Sequence, residues 1–277
     1  MNKAKAEYLN ISQLQPFERH PFRVKEDEEM EQLVWSILTQ GLLTPLVVRP
    51  LGNEEYEVIS GHRRLHACKK AGIETVPALV YPMSRDEAAV ALVDSNLHRE
   101  KLLPSEKAFA YKLKMEALSH QGQTCGQVGH KSRDAVSDED SGRQIQRYVR
   151  LTDLIPEILQ YVDEGRIAFT PAVELSYLTQ EEQQVLLEAI EREDCTPSLS
   201  QAQQLKKLSQ SGSLSADKIS DLMRQLKGNQ KEKLSFLRED ISSYFPPSFT
   251  TAKMQSTIVE LLKNYQRAWK RRERDER

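Results

Sequence analysis

Short β-rich runs alternate with segments of helical periodicity through the first hundred residues of the chain. The predicted strands are Glu7–Ile11, Leu46–Arg49, Tyr56–Ile59 and Val76–Tyr81. The predicted helices are Glu28–Gln40 and Arg63–Lys70, which stop at glycine turns, and a helix that starts at the capping box Ser84–Glu87 and runs towards Leu97. Residues 1–100 are therefore expected to form a domain with a small mixed sheet.

The pattern becomes entirely helical from Pro104 onward. Helices are predicted over Pro104–Leu118, Arg133–Asp138, Arg143–Leu151, Leu154–Val162, Pro171–Tyr177 and Gln180–Arg192. Residues 101–195 are therefore assigned to a helical domain. Residues 196–230 are rich in Ser, Gln, Lys and Leu, which is typical of exposed helices or a partly flexible connector. Residues 231–277 should form a last helical unit, with helices over Ser235–Tyr244 and Thr251–Trp269. The fold class expected is α+β.

Composition excludes several classes of protein. The chain has 277 residues, of which 39% are hydrophobic, so it can build a core and wholesale disorder is not expected. No run of about 18 apolar residues occurs, and the first residues lack the apolar stretch of a signal peptide. We therefore expect a cytoplasmic protein with no membrane contact. The cysteines Cys68, Cys125 and Cys195 are far apart and match neither a disulfide framework nor a paired-cysteine zinc spacing.

Charge is uneven along the chain, although the net charge is only −2. Between Ser141 and Arg150 the charged residues are Arg143, Arg147 and Arg150, with no acid. The segment Lys263–Arg277 is also basic on balance, but a solvated helix end accounts for it equally well. A local basic face of this kind is a better sign of nucleic-acid binding than the charge of the whole chain.

The segment Val58–Ala67 places a strand, a glycine turn and the start of a helix in succession. A helix start presents free N–H groups and partial positive charge, and Gly61 lets an anion approach the backbone. Arg63 and Arg64 add planar multi-donor groups that suit phosphate. The pattern predicts an anion site, with an exposed helix start and solvated arginines as the alternative.

A second pattern lies at residues 132–151. A short helix, the Ser141-Gly142 turn and a basic helix together predict a helix-turn-helix, with Ile145, Val149 and Leu151 facing inward. Arginine can bind guanine and glutamine can bind adenine in the major groove, so this helix carries the side chains that base reading needs. The candidate DNA-binding residues are Arg143, Gln144, Gln146, Arg147 and Arg150. A surface helix of a bundle is the alternative.

Four segments in order resemble the sequence boxes of ParB-family partition proteins. The stretch Gly61–Ala67 resembles the family's GERRxRA box, Arg19–Arg23 its first box, Gln40–Pro45 the turn after the following helix, and Ser95–Glu100 the ENxQR segment. The resemblance covers residues 7 to 190, and the last third is similar to partition proteins of plasmids and integrative elements.

The resemblance implies a pocket for CTP with Mg²⁺. It implies that Gly61, Arg63 and Arg64 hold the triphosphate, and that Arg23, Thr44 and Asn96 complete the pocket, beside His62 and Arg99. Two departures concern hydrolysis: His62 and Ser95 stand where the family has glutamates. Loss of two carboxylates removes groups that could orient water or a metal ion. CTP binding is therefore expected more firmly than CTP hydrolysis, and no catalytic residue is assigned. His62 and His66 lie one helical turn apart but lack a third ligand, so no metal site is predicted.

The resemblance also implies double-stranded DNA as partner, a ParA-type ATPase and association with the nucleoid or a plasmid. A homodimer held partly by the C-terminal helices is expected, because the last predicted helix carries an apolar stripe formed by Met254, Ile258, Leu261, Leu262 and Tyr265. The alternative is that this stripe packs within the same chain against Phe236, Leu237, Ile241 and Tyr244. Two other functions stay open at this point. One is a helix-turn-helix transcription regulator without nucleotide turnover. The other is a nuclease or phosphotransferase of the same N-terminal superfamily, which would not need the DNA reader.

Overall fold

A computed structural model describes residues 4–99, 102–120, 140–224, 241, 244–246 and 248–275. The chain divides into two compact units, Met1–Gln225 and Leu226–Arg277. The first unit contains a five-stranded sheet followed by a series of helices, so the expected α+β class is confirmed.

Five strands form one mixed sheet in the order β1-β5-β3-β4-β2. β1 (Lys5–Asn10) pairs antiparallel with β5 (Thr75–Val80), which pairs parallel with β3 (Leu46–Gly52). β3 pairs antiparallel with β4 (Glu55–Ser60), and β4 pairs parallel with β2 (Leu14–Pro16). The four predicted strands are confirmed as β1, β3, β4 and β5. The short β2 was not predicted.

Helices cover both faces of the sheet. Because side chains alternate along a strand, the neighbours Val58 and Ile59 of β4 enter two different cores. Val58 packs in a core with Met30 and Leu65 of the first two helices, and Ile59 packs in a core with Leu92 of the third. These helices are α1 (Glu28–Gln40), α2 (His62–Lys70), α3 (Arg85–Leu97) and α4 (Pro104–His120).

A third core holds the helical part of the unit together. It is built by α6 (Pro156–Asp163), α7 (Phe169–Leu175), α8 (Gln180–Glu193), α9 (Leu199–Gln210) and α10 (Ala216–Arg224), with α5 (Gly142–Arg150) at its edge. α4 joins this core to the sheet, because Ala108 packs in the helical core while Ala110 and Tyr111 pack in the core below α3. Residues 4–224 are therefore linked through one shared helix.

The part of segment 196–230 that the structure describes, residues 196–224, differs from its prediction as a connector or a set of exposed helices. α9 and α10 bury Ala202, Leu205, Ile219, Leu222 and Met223 in the same core as α8. The segment is rich in polar residues because each helix buries only a narrow apolar stripe. The amino-acid composition of the whole segment does not reveal this stripe. The helical core extends to Arg224.

The second unit is described mainly by α11 (Thr251–Asp275), which runs six residues past the predicted end at Trp269. The predicted helix Arg133–Asp138 lies outside the described residues, as does most of Ser235–Tyr244. Among the residues that the structure describes, no helix combines the length and apolar character needed to cross a lipid bilayer.

Candidate functional site

The turn between β4 and α2 depends on Gly61. Its φ of 105° lies in the left-handed region, and a Cβ at this position would lie 2.6 Å from Cδ2 of Leu46. Glycine is therefore needed both for the backbone conformation and for the close approach of β3. The turn brings the N-terminus of α2 to the edge of a cleft.

This cleft contains most of the residues proposed for the nucleotide pocket. Six of the eight candidates line it: Arg23, Gly61, His62, Arg63, Asn96 and Arg99. His20, Phe22 and Val24, which were not predicted, complete its lining. The loop carrying the first sequence box therefore folds over the start of α2, next to the end of α3. The segment His20-Pro21-Phe22 within that box was the signal that could have indicated these residues.

Thr44 and Arg64 take a different position. The Arg64 guanidinium donates to the carbonyls of Thr44 and Pro45, at 2.6 and 2.9 Å from Nη1, and ties α2 to the loop before β3. Neither residue lines the cleft. Within the described structure, Arg64 supports the loop rather than pointing at an anion site.

Three guanidinium groups, those of Arg23, Arg63 and Arg99, surround the cleft. Arg63 is held at the rim by Asp27 and Glu29, with Nη2 at 3.2 and 3.3 Å from their carboxylate oxygens. The Arg99 guanidinium lies 5.8 Å from the centre of the Phe22 ring. None of the described residues that line the cleft is acidic. The site is therefore suited to a polyanion at the start of a helix.

Two histidines stack inside the cleft. The ring centres of His20 and His62 are 3.8 Å apart. His62 Nε2 accepts a hydrogen bond from the Phe17 N–H at 3.4 Å, and its other ring nitrogen donates to the Val58 carbonyl. Burial, with His20 and Arg99 nearby, lowers the pKa of His62 to about 3. His62 is therefore a neutral part of the cleft wall near pH 7.

The cleft is closed in this structure. Its free volume is about 10 Å³, which is room for about one water molecule. An adjoining cavity of about 410 Å³ lies between the same loop and α4, and His20 and Arg23 line both spaces. Small-molecule sites usually occupy roughly 300–1,000 Å³, so a ligand in the cleft requires these two side chains to move.

Arg23 also connects the loop to the helical part. Its Nη2 lies 3.5 Å from Oδ2 of Asp163 at the end of α6, and its backbone N–H donates to Glu106 at 2.8 Å. Asp163 is buried and accepts two hydrogen bonds from Ser105, one from the backbone N–H and one from the hydroxyl. A ligand that bound Arg23 would compete with this junction.

The cleft does not supply a protein site for a metal ion. Mg²⁺ in proteins is usually held by one or two carboxylates together with phosphate oxygens. The nearest carboxylates, Asp27, Glu29 and Glu106, are bonded to Arg63 or to backbone N–H groups. Across the described ranges, no three His, Cys, Asp or Glu residues cluster in a way that could hold a metal. His66 bonds to Glu26 instead of facing His62.

The candidate reading helix α5 is capped by Ser141, whose hydroxyl accepts from the Gln144 N–H. Ile145 is fully buried and fixes one side of the helix against the core below α3. Arg143 and Gln146 are exposed, and Arg143 makes no hydrogen bond or ion pair with any residue that the structure describes. The outer face of α5 therefore carries one free arginine and an exposed glutamine.

The other two arginines of α5 are held by α7 and its neighbours. Arg147 stacks 4.9 Å from the centre of the Phe169 ring and donates to the Thr170 hydroxyl at 2.9 Å. Arg150 stacks 4.1 Å from the centre of the Tyr177 ring and pairs with Asp153 at 2.9 Å. These contacts orient α5 and leave less of each guanidinium for an outside partner. Gln144 is also engaged, because it accepts from Arg147.

A groove runs beside α5 and brings in one cation that sequence reasoning missed. It has a volume of about 550 Å³ and is lined by Arg143, Gln146, Arg147, Arg150 and Lys112 of α4, with Asp153 as its acid. Lys112 lies 30 residues before this part of the chain, so no local pattern could place it there. The groove is positively charged on balance, as a phosphate-binding surface requires.

Cys68 does not resemble a reactive thiol. It lies on the buried face of α2, and burial raises its pKa although Arg64 opposes the shift. A thiol with a raised pKa is a poor nucleophile. Redox or nucleophilic chemistry therefore has no support at this residue.

The structure is that of an α+β protein with three arginines around a cleft at the start of α2 and a basic groove beside α5. Residues 1–97 match the model of the ParB N-terminal domain. The chain is 30% identical over 230 residues to the probable chromosome-partitioning protein ParB of Vibrio cholerae, covering 82% of this chain and 74% of that protein. This chain belongs to the ParB family.

Other members match over shorter ranges. The probable chromosome-partitioning protein ParB of Pseudomonas putida is 35% identical over 165 residues, which cover 59% of this chain and 54% of that protein. The aligned region thus spans about half the length of several curated relatives. The crystal structure of C-terminally truncated ParB from Caulobacter crescentus complexed with CTP-gamma-S is 26% identical, covers 67% of this chain and 98% of that chain, and has a TM-score of 0.32.

Proposed function

We propose that this chain is a sequence-specific DNA-binding protein of a ParB-type partition system, with a CTP-responsive cleft in its N-terminal part. The observation that carries the DNA-binding role is the groove beside α5. There an exposed Arg143, unpaired among the described residues, and an exposed Gln146 lie near Lys112 of α4. α5 itself has no acidic residue. This arrangement offers a base-reading face with phosphate-binding cations beside it.

The cleft at the start of α2 supports the nucleotide part of the proposal. It combines the Gly61 turn, the free N–H groups of a helix start and the guanidinium groups of Arg23, Arg63 and Arg99. We propose CTP as the nucleotide because the structure of the C. crescentus relative is a complex with CTP-gamma-S. Any Mg²⁺ that accompanies it would be bound mainly by phosphate oxygens, since the lining offers no carboxylate.

Nucleotide binding would act on the junction between sheet and helices. A triphosphate that takes Arg23 from Asp163 weakens the contact between the loop and α6, which belongs to the helical core next to α5. This is a physical route for clamp-like loading, in which the nucleotide changes how the protein holds DNA. In a partition system the protein would act as a homodimer on double-stranded DNA, with a ParA-type ATPase, at the nucleoid or a plasmid.

Equilibrium binding of radiolabelled CTP, ATP and GTP, with and without duplex DNA, tests the proposal. We expect binding of CTP that Arg99→Ala weakens by about tenfold or more, since a charge-assisted contact is lost, with unchanged thermal melting. Lys263→Ala in the second unit is the matched control for loss of one cation. Failure of all three nucleotides to bind a protein that still binds DNA would favour a plain transcription regulator. Turnover without DNA binding would favour an enzyme.

A further inference from the structure

His20 lies at the boundary between the closed cleft and the larger cavity beside it. It lines both spaces and stacks on His62 at 3.8 Å between ring centres. Its Nδ1 donates to the Phe22 carbonyl at 2.7 Å. Its Nε2 forms no hydrogen bond or ion pair within the described part of the chain. One ring nitrogen is therefore fixed, and the other is available to a ligand.

The groups around His20 keep it neutral while the cleft is closed. Burial lowers its pKa, and the positive charge of Arg99 lowers it further, while the Phe22 carbonyl and Glu106 oppose the shift. The charged and titratable groups that face it are Arg19 and Arg23 from its own loop, His62 and Arg63 from α2, Arg99 after α3, and Glu106, Lys112 and Glu116 from α4. Cations outnumber carboxylates in this set.

A triphosphate in the cleft reverses this balance. It brings several negative charges to the mouth of α2 and offers oxygen acceptors to Nε2, so the imidazolium form gains a partner that the closed cleft lacks. His62 cannot respond in the same way, because both of its ring nitrogens are already engaged with Phe17 and Val58. His20 is the histidine of this pair that can accept a proton and donate to a phosphate.

We propose that His20 is a further nucleotide-binding residue, and that it takes up a proton when the triphosphate binds, so that binding strengthens as the pH falls. The inference rests on the proposed nucleotide function. Uptake of one proton changes the logarithm of the binding constant by up to one per pH unit. The gain is complete below the pKa of the free state and is lost as the pH rises through the pKa of the bound state.

Calorimetric titration of the 277-residue chain with CTP at pH 6.5, 7.0, 7.5 and 8.0 tests the proposal, in pairs of buffers with different ionisation enthalpies. Phosphate groups also titrate near pH 6, so the readout is the difference between proteins. We expect the wild type to bind about three- to tenfold more tightly at pH 6.5 than at 7.5, beyond the change shown by His20→Gln, and to take up a fraction of a proton that His20→Gln does not.

Two further variants make the result decisive. His66→Gln is the matched control, since His66 lies on α2 but bonds to Glu26 away from the cleft, and it should behave as the wild type does. His20→Arg keeps a permanent charge and should bind CTP at pH 8.0 without the wild-type pH dependence. Equal pH dependence in the wild type and His20→Gln would overturn the role of His20. Absence of CTP binding at every pH would instead overturn the nucleotide function itself.

Discussion

Gly61 has two separable reasons for being glycine, the left-handed backbone and the contact with Leu46. Gly52 shares the first reason alone, because its φ is 101° and a Cβ there would meet nothing within 4 Å. We predict that Gly52→Ala lowers the free energy of unfolding by about 1–2 kcal/mol through backbone strain. Gly61→Ala should cost about 1–3 kcal/mol more, because Leu46 must move. Urea unfolding of both variants measures the difference. An equal loss of unfolding free energy in the two variants would show that the contact with Leu46 does not require glycine at position 61.

His62 makes stability depend on pH. Its pKa is about 3 in the folded protein, against an ordinary value of 6.5, so the unfolded chain binds the proton first as the pH falls. Stability is then lost between pH 6.5 and 3 and is fully present above pH 6.5. We expect this group to account for a loss of at most about 2 kcal/mol between pH 7 and pH 5.

Urea unfolding of the wild type and His62→Gln at pH 7 and pH 5 checks this value, because other titrating groups are common to both proteins. Gln can still accept from the Phe17 N–H, so the variant should fold. Its stability should fall less between the two pH values than that of the wild type. An equal fall in both proteins would show that His62 can be protonated without cost.

At the residue scale, the sequence located the cleft but not every side chain in it. The Gly61 turn and the basic start of α2 are local features, and the structure brings six of the eight proposed residues to one cleft. Arg64 was predicted to hold the triphosphate, but its guanidinium donates to the carbonyls of Thr44 and Pro45, which lie 20 and 19 residues away in the chain. Spacing places an arginine on a helix face, but tertiary contacts decide what its guanidinium binds.

At the scale of the element, the arginines of α5 have two different roles: Arg143 is available to DNA, while Arg147 and Arg150 contact α7 and its neighbours. We predict that Arg143→Ala and Lys112→Ala each reduce the salt dependence of DNA binding by about one phosphate contact, a change of ~0.9 in the slope of log K against log salt. Arg150→Ala should lower the free energy of unfolding by about 1–2 kcal/mol, because it loses the Tyr177 ring and Asp153. Fluorescence anisotropy with a random-sequence duplex at several salt concentrations, together with urea unfolding, distinguishes the two effects.

Arg166→Ala serves as the control for this series, since Arg166 is exposed and stacks on Tyr161 outside the groove. It should leave the salt slope unchanged. Two results would place the phosphate contacts on the other side of α5. One is a salt slope that falls by the full ~0.9 in Arg150→Ala while the stability is unchanged, and the other is an unchanged salt slope in Arg143→Ala.

Elements with a strong local signal were predictable, and those made by packing were not. The capping box at Ser84 and Glu87 begins α3 as predicted. β2 has three residues and exists because Leu14 pairs with Tyr56 of β4, a contact that no local pattern contains. The polar composition of α9 and α10 predicts exposed helices or a connector, because it hides the buried stripe that ends in Leu222 and Met223.

For the whole molecule, the sheet and the helical core act as one unit because α4 contributes to both. Arg23 and Asp163 add a polar contact on top of this shared packing, between the loop at the cleft and the end of α6. A ligand at the cleft therefore has a short path to the helices that carry the basic groove. This path needs only one ion pair to break, while the apolar core around α4 stays intact.

The second unit carries a candidate surface for dimer formation. In α11, the stripe that includes Ile258 carries Leu261, Leu262 and Tyr265, which are 59%, 60% and 71% exposed. A stripe of this kind favours a helical interface between two copies. We predict that the full chain is a dimer, that Leu261→Asp with Leu262→Asp yields a monomer, and that the monomer binds DNA more weakly because dimeric readers span two half-sites.

Light scattering measures the oligomeric state of each variant, and fluorescence anisotropy measures its affinity for DNA. Ser256→Asp, on the opposite side of α11, is the matched control and should remain dimeric. A truncation supports the test, and it must end after Gln225, because a shorter chain would lose Ile219, Leu222 and Met223 from the helical core. If the double variant and the truncated chain both remained dimeric with full DNA affinity, the interface would have to lie in residues 1–225, where the cleft and the basic groove are found.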